Sequence, residues 1–74
     1  MAKKGDTGVY RVTEVIGTST DSWEDAARNA VKTAASTLRD LRIAEVTKLD
    51  VRLDEEGQIV QFRARVSLSF KYEG

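Results

Sequence analysis

The 74-residue chain contains no cysteine, no histidine and no proline. Without cysteine there are no disulfides, and without cysteine and histidine every usual zinc site is excluded. The same two absences remove the common nucleophile–base pairs of catalysis. No G-x-S-x-G elbow or glycine-rich phosphate loop is present either, so the chain is expected not to be an enzyme. No proline-rich linker or low-complexity stretch divides it. No run approaches the ~18 apolar residues of a transmembrane helix. Met1-Ala2-Lys3-Lys4 leads into Gly5-Asp6-Thr7-Gly8 instead of an apolar core, so there is no signal-peptide pattern and the cytoplasm is the expected location. Neither charge sign is in excess, with 12 basic and 12 acidic residues. A dedicated nucleic-acid binder would carry a basic face that shows in such a total.

What remains is one small domain with few means of holding itself together. Ordering costs roughly 1.5 kcal/mol per residue, and apolar burial in a chain this short about cancels it. Small domains close that gap with disulfides, a metal or oligomerisation. Disulfides and zinc are gone, and a hard cation held by oxygens is still open. Oligomerisation is the favoured route.

Residues 1–7 read as a polar, flexible N-terminal arm, and residues 8–74 as the domain. Val9 to Ile16 is rich in β-branched and aromatic residues and predicts a strand, ended by turn chemistry at Gly17-Thr18-Ser19-Thr20. Asp21 as N-cap with Glu24 three residues on predicts the start of a helix. Its apolar face is Trp23, Ala26, Ala27, Ala30, Val31, Ala34, Leu38 and Leu41, which places the end near Leu41 or Arg42. A second strand runs from about Ile43 to Leu53, with Ile43, Leu49, Val51 and Leu53 on a single parity. Asp54-Glu55-Glu56-Gly57 predicts a hairpin turn. The third strand, Gln58 to Tyr72, has the cleanest alternation: Val60, Phe62, Ala64, Val66, Leu68, Phe70 and Tyr72 on one face.

These elements predict an α+β fold of βαββ order, a three-stranded antiparallel sheet partly wrapping one helix. The regular third strand belongs in the centre, antiparallel to both neighbours. Two exposed edges and a sheet face with no covering layer invite pairing between chains.

Several residues invite chemistry. Trp23, the only tryptophan, suits a packing anchor better than a ligand stack. Asp50, Asp54, Glu55 and Glu56 offer oxygens to a cation such as calcium, although a solvated hairpin tip explains most of them. Arg63, Arg65 and Lys71 share one face of strand three, and Lys48, Asp50 and Arg52 one face of strand two. Cross-strand ion pairs fit that pattern better than a phosphate-binding lining. Glu14 and Glu45 lie on different strands and form no evident acid–base site.

In order along the chain, Gly17-Thr18-Ser19 after strand one, Ser22-Trp23-Glu24-Asp25-Ala26-Ala27, Thr37-Leu38-Arg39, Glu45-Val46 and Phe62-x-Ala64-x-Val66-x-Leu68-x-Phe70 together resemble the dodecin family, over about residues 8–73. That resemblance implies a hollow homododecameric cage that binds and stores flavin (riboflavin or FMN) without catalysis. Some members are associated with calcium, which directs attention to Asp50, Asp54 and Glu56 as metal ligands. The flavin position implied by the resemblance comprises Ile43, Glu45 and Arg63. Ile43 stands where the family has a stacking tryptophan, and Arg63 where it has a glutamine that pairs with the flavin edge. Arginine donates but does not accept, and an aliphatic side chain does not stack. Two alternatives to flavin storage follow, a calcium-binding assembly of the same kind and a plain protein-interaction module.

Overall fold

A computed structural model describes residues 8–71. The arm expected over residues 1–7, and the last residues of the predicted third strand and domain, Tyr72 to Gly74, lie outside the described residues. The elements are β1 (Tyr10–Ser19), α1 (Trp23–Ala35), β2 (Leu41–Leu53) and β3 (Ile59–Lys71). They form one antiparallel sheet in the order β1-β3-β2 with the helix on one face. The βαββ order and the central third strand agree with the sequence pattern.

β3 is central because its alternation gives it one wholly apolar face. Ala64, Val66 and Leu68 are buried there, beneath Ala26, Ala30 and Ala34 of α1. The three alanines recur every four residues and make a flat stripe, so helix and sheet approach closely. Gly17 marks that approach. A Cβ added at Gly17 would run into the Ala26 carbonyl and stand 2.7 Å from the Ala30 Cβ. This glycine therefore belongs to β1, which continues to Ser19, and not to a turn as its neighbours in sequence suggest.

The helix begins one residue later than its acids predict. Ser22 is the N-cap, in extended conformation, and its hydroxyl oxygen accepts the Asp25 N–H at 3.0 Å. Asp21 and Glu24 do not take the capping role expected of them, and beside the cap the hydroxyl of buried Ser19 ties the strand end to the first turn. Its hydroxyl donates to the Asp25 carboxylate at 2.7 Å and accepts the Asp21 N–H at 2.9 Å. The helix also ends earlier, at Ala35. The Ser36 hydroxyl donates to the Thr33 carbonyl at 2.6 Å and the Thr37 hydroxyl to the Ala34 carbonyl at 3.2 Å, competing with the helical ladder. The chain then enters β2 through Asp40 at φ 57°. Leu38 and Leu41 still pack on the core, so the apolar period outlasts the helix that it seemed to define.

β2 departs furthest from its pattern. Register shifts between Leu41 and Ile43 and between Val46 and Lys48 insert Arg42 and Thr47 as bulges. Leu41, Ala44, Val46, Leu49 and Val51 consequently pair with the helix-side row of β3, from Phe70 to Phe62. Ile43, Glu45, Lys48, Asp50 and Arg52 fall on the other face. Ile43 therefore leaves the apolar set to which strict alternation assigns it. At the hairpin, Gly57 takes φ 79° and its N–H donates to the Asp54 carbonyl, as the turn requires.

The sheet is longer than its cover. Strands of 13 residues span about 43 Å and a helix of 13 residues about 20 Å. The radius of gyration is 15.4 Å, against about 11 Å for a compact domain of this length. The end of the β2–β3 hairpin projects beyond the helix as a two-stranded arm.

Candidate functional site

The face of the sheet away from the helix carries the residues that the sequence singled out for ligand contact. Its register rows run Val12–Ser69–Ile43, Glu14–Ser67–Glu45, Ile16–Arg65–Lys48 and Thr18–Arg63–Asp50. Ile43, Glu45 and Arg63 thus share this open face. Ile43 is 54% exposed, and two strands away Val12 is exposed as well.

Arg63 is already engaged. Its Nε donates to Asp50 Oδ1 at 2.7 Å and its Nη2 to Asp50 Oδ2 at 3.1 Å, a two-pronged bond joining β3 to β2. This is the cross-strand pair that the charge pattern favours. The hydrogen bond from Arg63 holds the Asp50 carboxyl below its usual pKa, with the charges of Arg63, Arg65 and Lys48 adding to the effect. The same bond raises the Arg63 pKa.

An isoalloxazine ring does not fit this row. Ile43 offers an aliphatic branch, its cross-strand partner is Ser69, and Arg63 is tied to a carboxylate. Trp23 sits on the opposite, helix-bearing side. Its ring meets Phe62 edge-on at 5.1 Å and 72°, and its indole N–H donates to the Asp50 carbonyl at 3.0 Å. The ring is nonetheless 39% exposed and stands outside the buried core, so it rests on the sheet's edge and is not enclosed as a core anchor would be.

The predicted metal ligands are not gathered within the chain. Asp50 is bound to Arg63. Asp54 Oδ1 accepts the N–H groups of Glu56 and Gln58 at 2.8 and 3.0 Å, so this carboxylate closes the hairpin turn. Glu56 lies in that turn and adds no second carboxylate to Asp50. Among the described residues no group of three or more carboxylates is placed to hold an ion. Glu14 and Glu45 are separated by β3 and form no pair. Among the described residues, no helix is long and apolar enough to cross a membrane.

One feature escaped the sequence pattern. α1 packs over β1 and β3 and barely reaches β2. An open groove lined by Ala27, Val31, Ala44, Val46 and Val66 is left between helix and strand. Only the bulges of β2 bring Ala44 and Val46 to this side, and nothing in the residue order announces them.

The sequence matches the family described as Dodecin over residues 9–73. The calcium dodecin of Mycobacterium tuberculosis is 43% identical over 63 residues, 85% of this chain and 87% of that protein. Its crystal structure, described as a calcium-chelating immunodominant antigen with a novel calcium-binding site, superposes with a TM-score of 0.77 at 42% identity, covering 88% of this chain and 91% of that one. Dodecin from Streptomyces coelicolor superposes with a TM-score of 0.83 at 41% identity, over 92% of this chain and 96% of that one.

Proposed function

The chain belongs to the dodecin family, and from that footing we propose that it is a non-enzymatic subunit of a homododecameric cage that holds a small ligand. The observation that carries this reading is the surface that one subunit leaves in water. Its buried apolar core consists of four alanines, Val66 and Leu68. Val12, Ile43, Leu49, Leu53 and Ile59 are each more than half exposed. Such a balance suits a piece of an assembly better than a free domain.

Calcium is the ligand that the relatives support. The M. tuberculosis relative carries that ion in its name, whereas Ile43 removes the ring on which a flavin would stack. One subunit does not gather Asp50, Asp54 and Glu56, so calcium coordination here combines carboxylates from neighbouring subunits.

Light scattering coupled to size exclusion tests the assembly. The expected particle is about 98 kDa, twelve times the 8.2 kDa chain. A stable monomer or dimer near physiological salt would remove the proposal.

A further inference from the structure

The open face of the sheet holds two cations that its own carboxylates do not neutralise. Lys48 and Arg65 stand directly opposite each other on β2 and β3, and both are exposed. Opposing side chains on one sheet face lie about 5 Å apart, and like charges so placed destabilise the pairing. Neither cation forms an ion pair among the described residues. Glu14 and Glu45 stand one row away, about 7 Å along the strands. Asp50, one row away on the other side, has both oxygens taken by Arg63. The charge pattern of the sequence suggests that these groups cancel across the strands, and only the Arg63–Asp50 row does so.

The surplus is local. After the hydrogen bond from Arg63, the charges of Arg63, Arg65 and Lys48 all act on the Asp50 carboxyl, so three cations surround one acid. Arg52 extends the same face one row further, where its Nε donates to the neutral Gln61 Oε1 at 3.3 Å. This concentration of positive charge arises in a chain whose total charge is zero. In a small domain short of stabilising contacts, the repulsion between Lys48 and Arg65 is a cost that a bound anion removes.

We infer that Lys48 and Arg65 together hold a phosphate group, free or carried as a monoester. A tetrahedral oxyanion spans two side chains at this spacing. The Arg65 guanidinium offers a planar fork of N–H donors and the Lys48 ammonium three more. A doubly charged anion balances both cations, which a single carboxylate does not. The site lies within one chain and uses none of the carboxylates proposed for calcium, so it stands or falls apart from the assembly and from the metal.

Titration calorimetry of inorganic phosphate and of glycerol phosphate into the native particle, in calcium-free buffer at low salt, should show saturable binding of at least one. Tighter binding of the free ion or of the ester tells which form the face takes. Lys48→Gln and Arg65→Gln should each weaken that binding at least tenfold. Lys71→Gln, at the far end of the same face, should not. Stability at fixed chain concentration gives the second readout. Without phosphate either of the two variants should raise the urea midpoint, because the repulsion is relieved, and millimolar phosphate should close that gap by stabilising the wild type. Absent binding, or binding that the two variants retain, overturns the inference. So does a lowered midpoint in the variants without phosphate, which would mean that a carboxylate of a second copy already neutralises the pair.

Discussion

Gly17 and Asp50 show two kinds of residue-scale control. At Gly17 the constraint is space, since the helix backbone occupies the volume of a side chain. Gly17→Ala should force α1 away from β1 and cost about 2 kcal/mol or more, as overpacked interiors do. Urea denaturation at fixed chain concentration measures it, because the stability of an assembly depends on that concentration. At Asp50 the constraint is charge. Its carboxyl is held below the usual pKa by Arg63, so the folded state favours the ionised form. The stabilisation is complete above the pKa of a free aspartate, ~3.9, and is lost as pH falls through the lower folded value. The difference in urea midpoint between wild type and Asp50→Asn should therefore be present at pH 7 and vanish in strong acid. Its size stays small because the pair is open to solvent.

At the scale of the element, the helix start and β2 were legible to different degrees. The sequence around Asp21 to Asp25 announced a capped helix and pointed to Asp21 as its cap, whereas Ser22 holds that position. Ser19, Ser22 and Asp25 join in one hydrogen-bonded cluster at the helix start. Ser22→Ala should consequently lose about 1 kcal/mol, whereas Asp21→Ala should lose little. Urea midpoints of the two variants check the assignment. In β2 the alternation of Ile43, Leu49, Val51 and Leu53 suggested one apolar face. The bulges at Arg42 and Thr47 divided that set, because two residues opposing one on the partner strand shift the parity of all that follow. A bulge has no fixed residue signature here, so the strand was visible and its facing was not.

For the whole molecule, the shortage of internal staples and the projecting arm lead to the same conclusion from different starting points. Absent cysteine and histidine left oligomerisation as the means of stabilisation, and the described subunit leaves its arm and groove uncovered. Two ligand measurements belong at this scale. Millimolar calcium should raise the melting temperature of the particle, and Glu56→Gln should reduce that rise; no response to calcium would sink the calcium reading. Riboflavin or FMN titrated into the particle should show weak or no fluorescence quenching. A yellow particle as purified would overturn the argument from Ile43.

The order of elements, the central place of β3 and the exclusion of disulfide and zinc were determined by the sequence alone. Those properties depend on composition and on period within one strand or helix, which neighbours in the chain already express. The close approach at Gly17, the side on which Ile43 stands, the pairing of Asp50 with Arg63 and the reach of the hairpin beyond the helix were decided only by tertiary structure. Each depends on where one element stops against another. Ser19 and Trp23 end the cover at Phe62, and that single level fixes how much of the sheet the helix leaves uncovered.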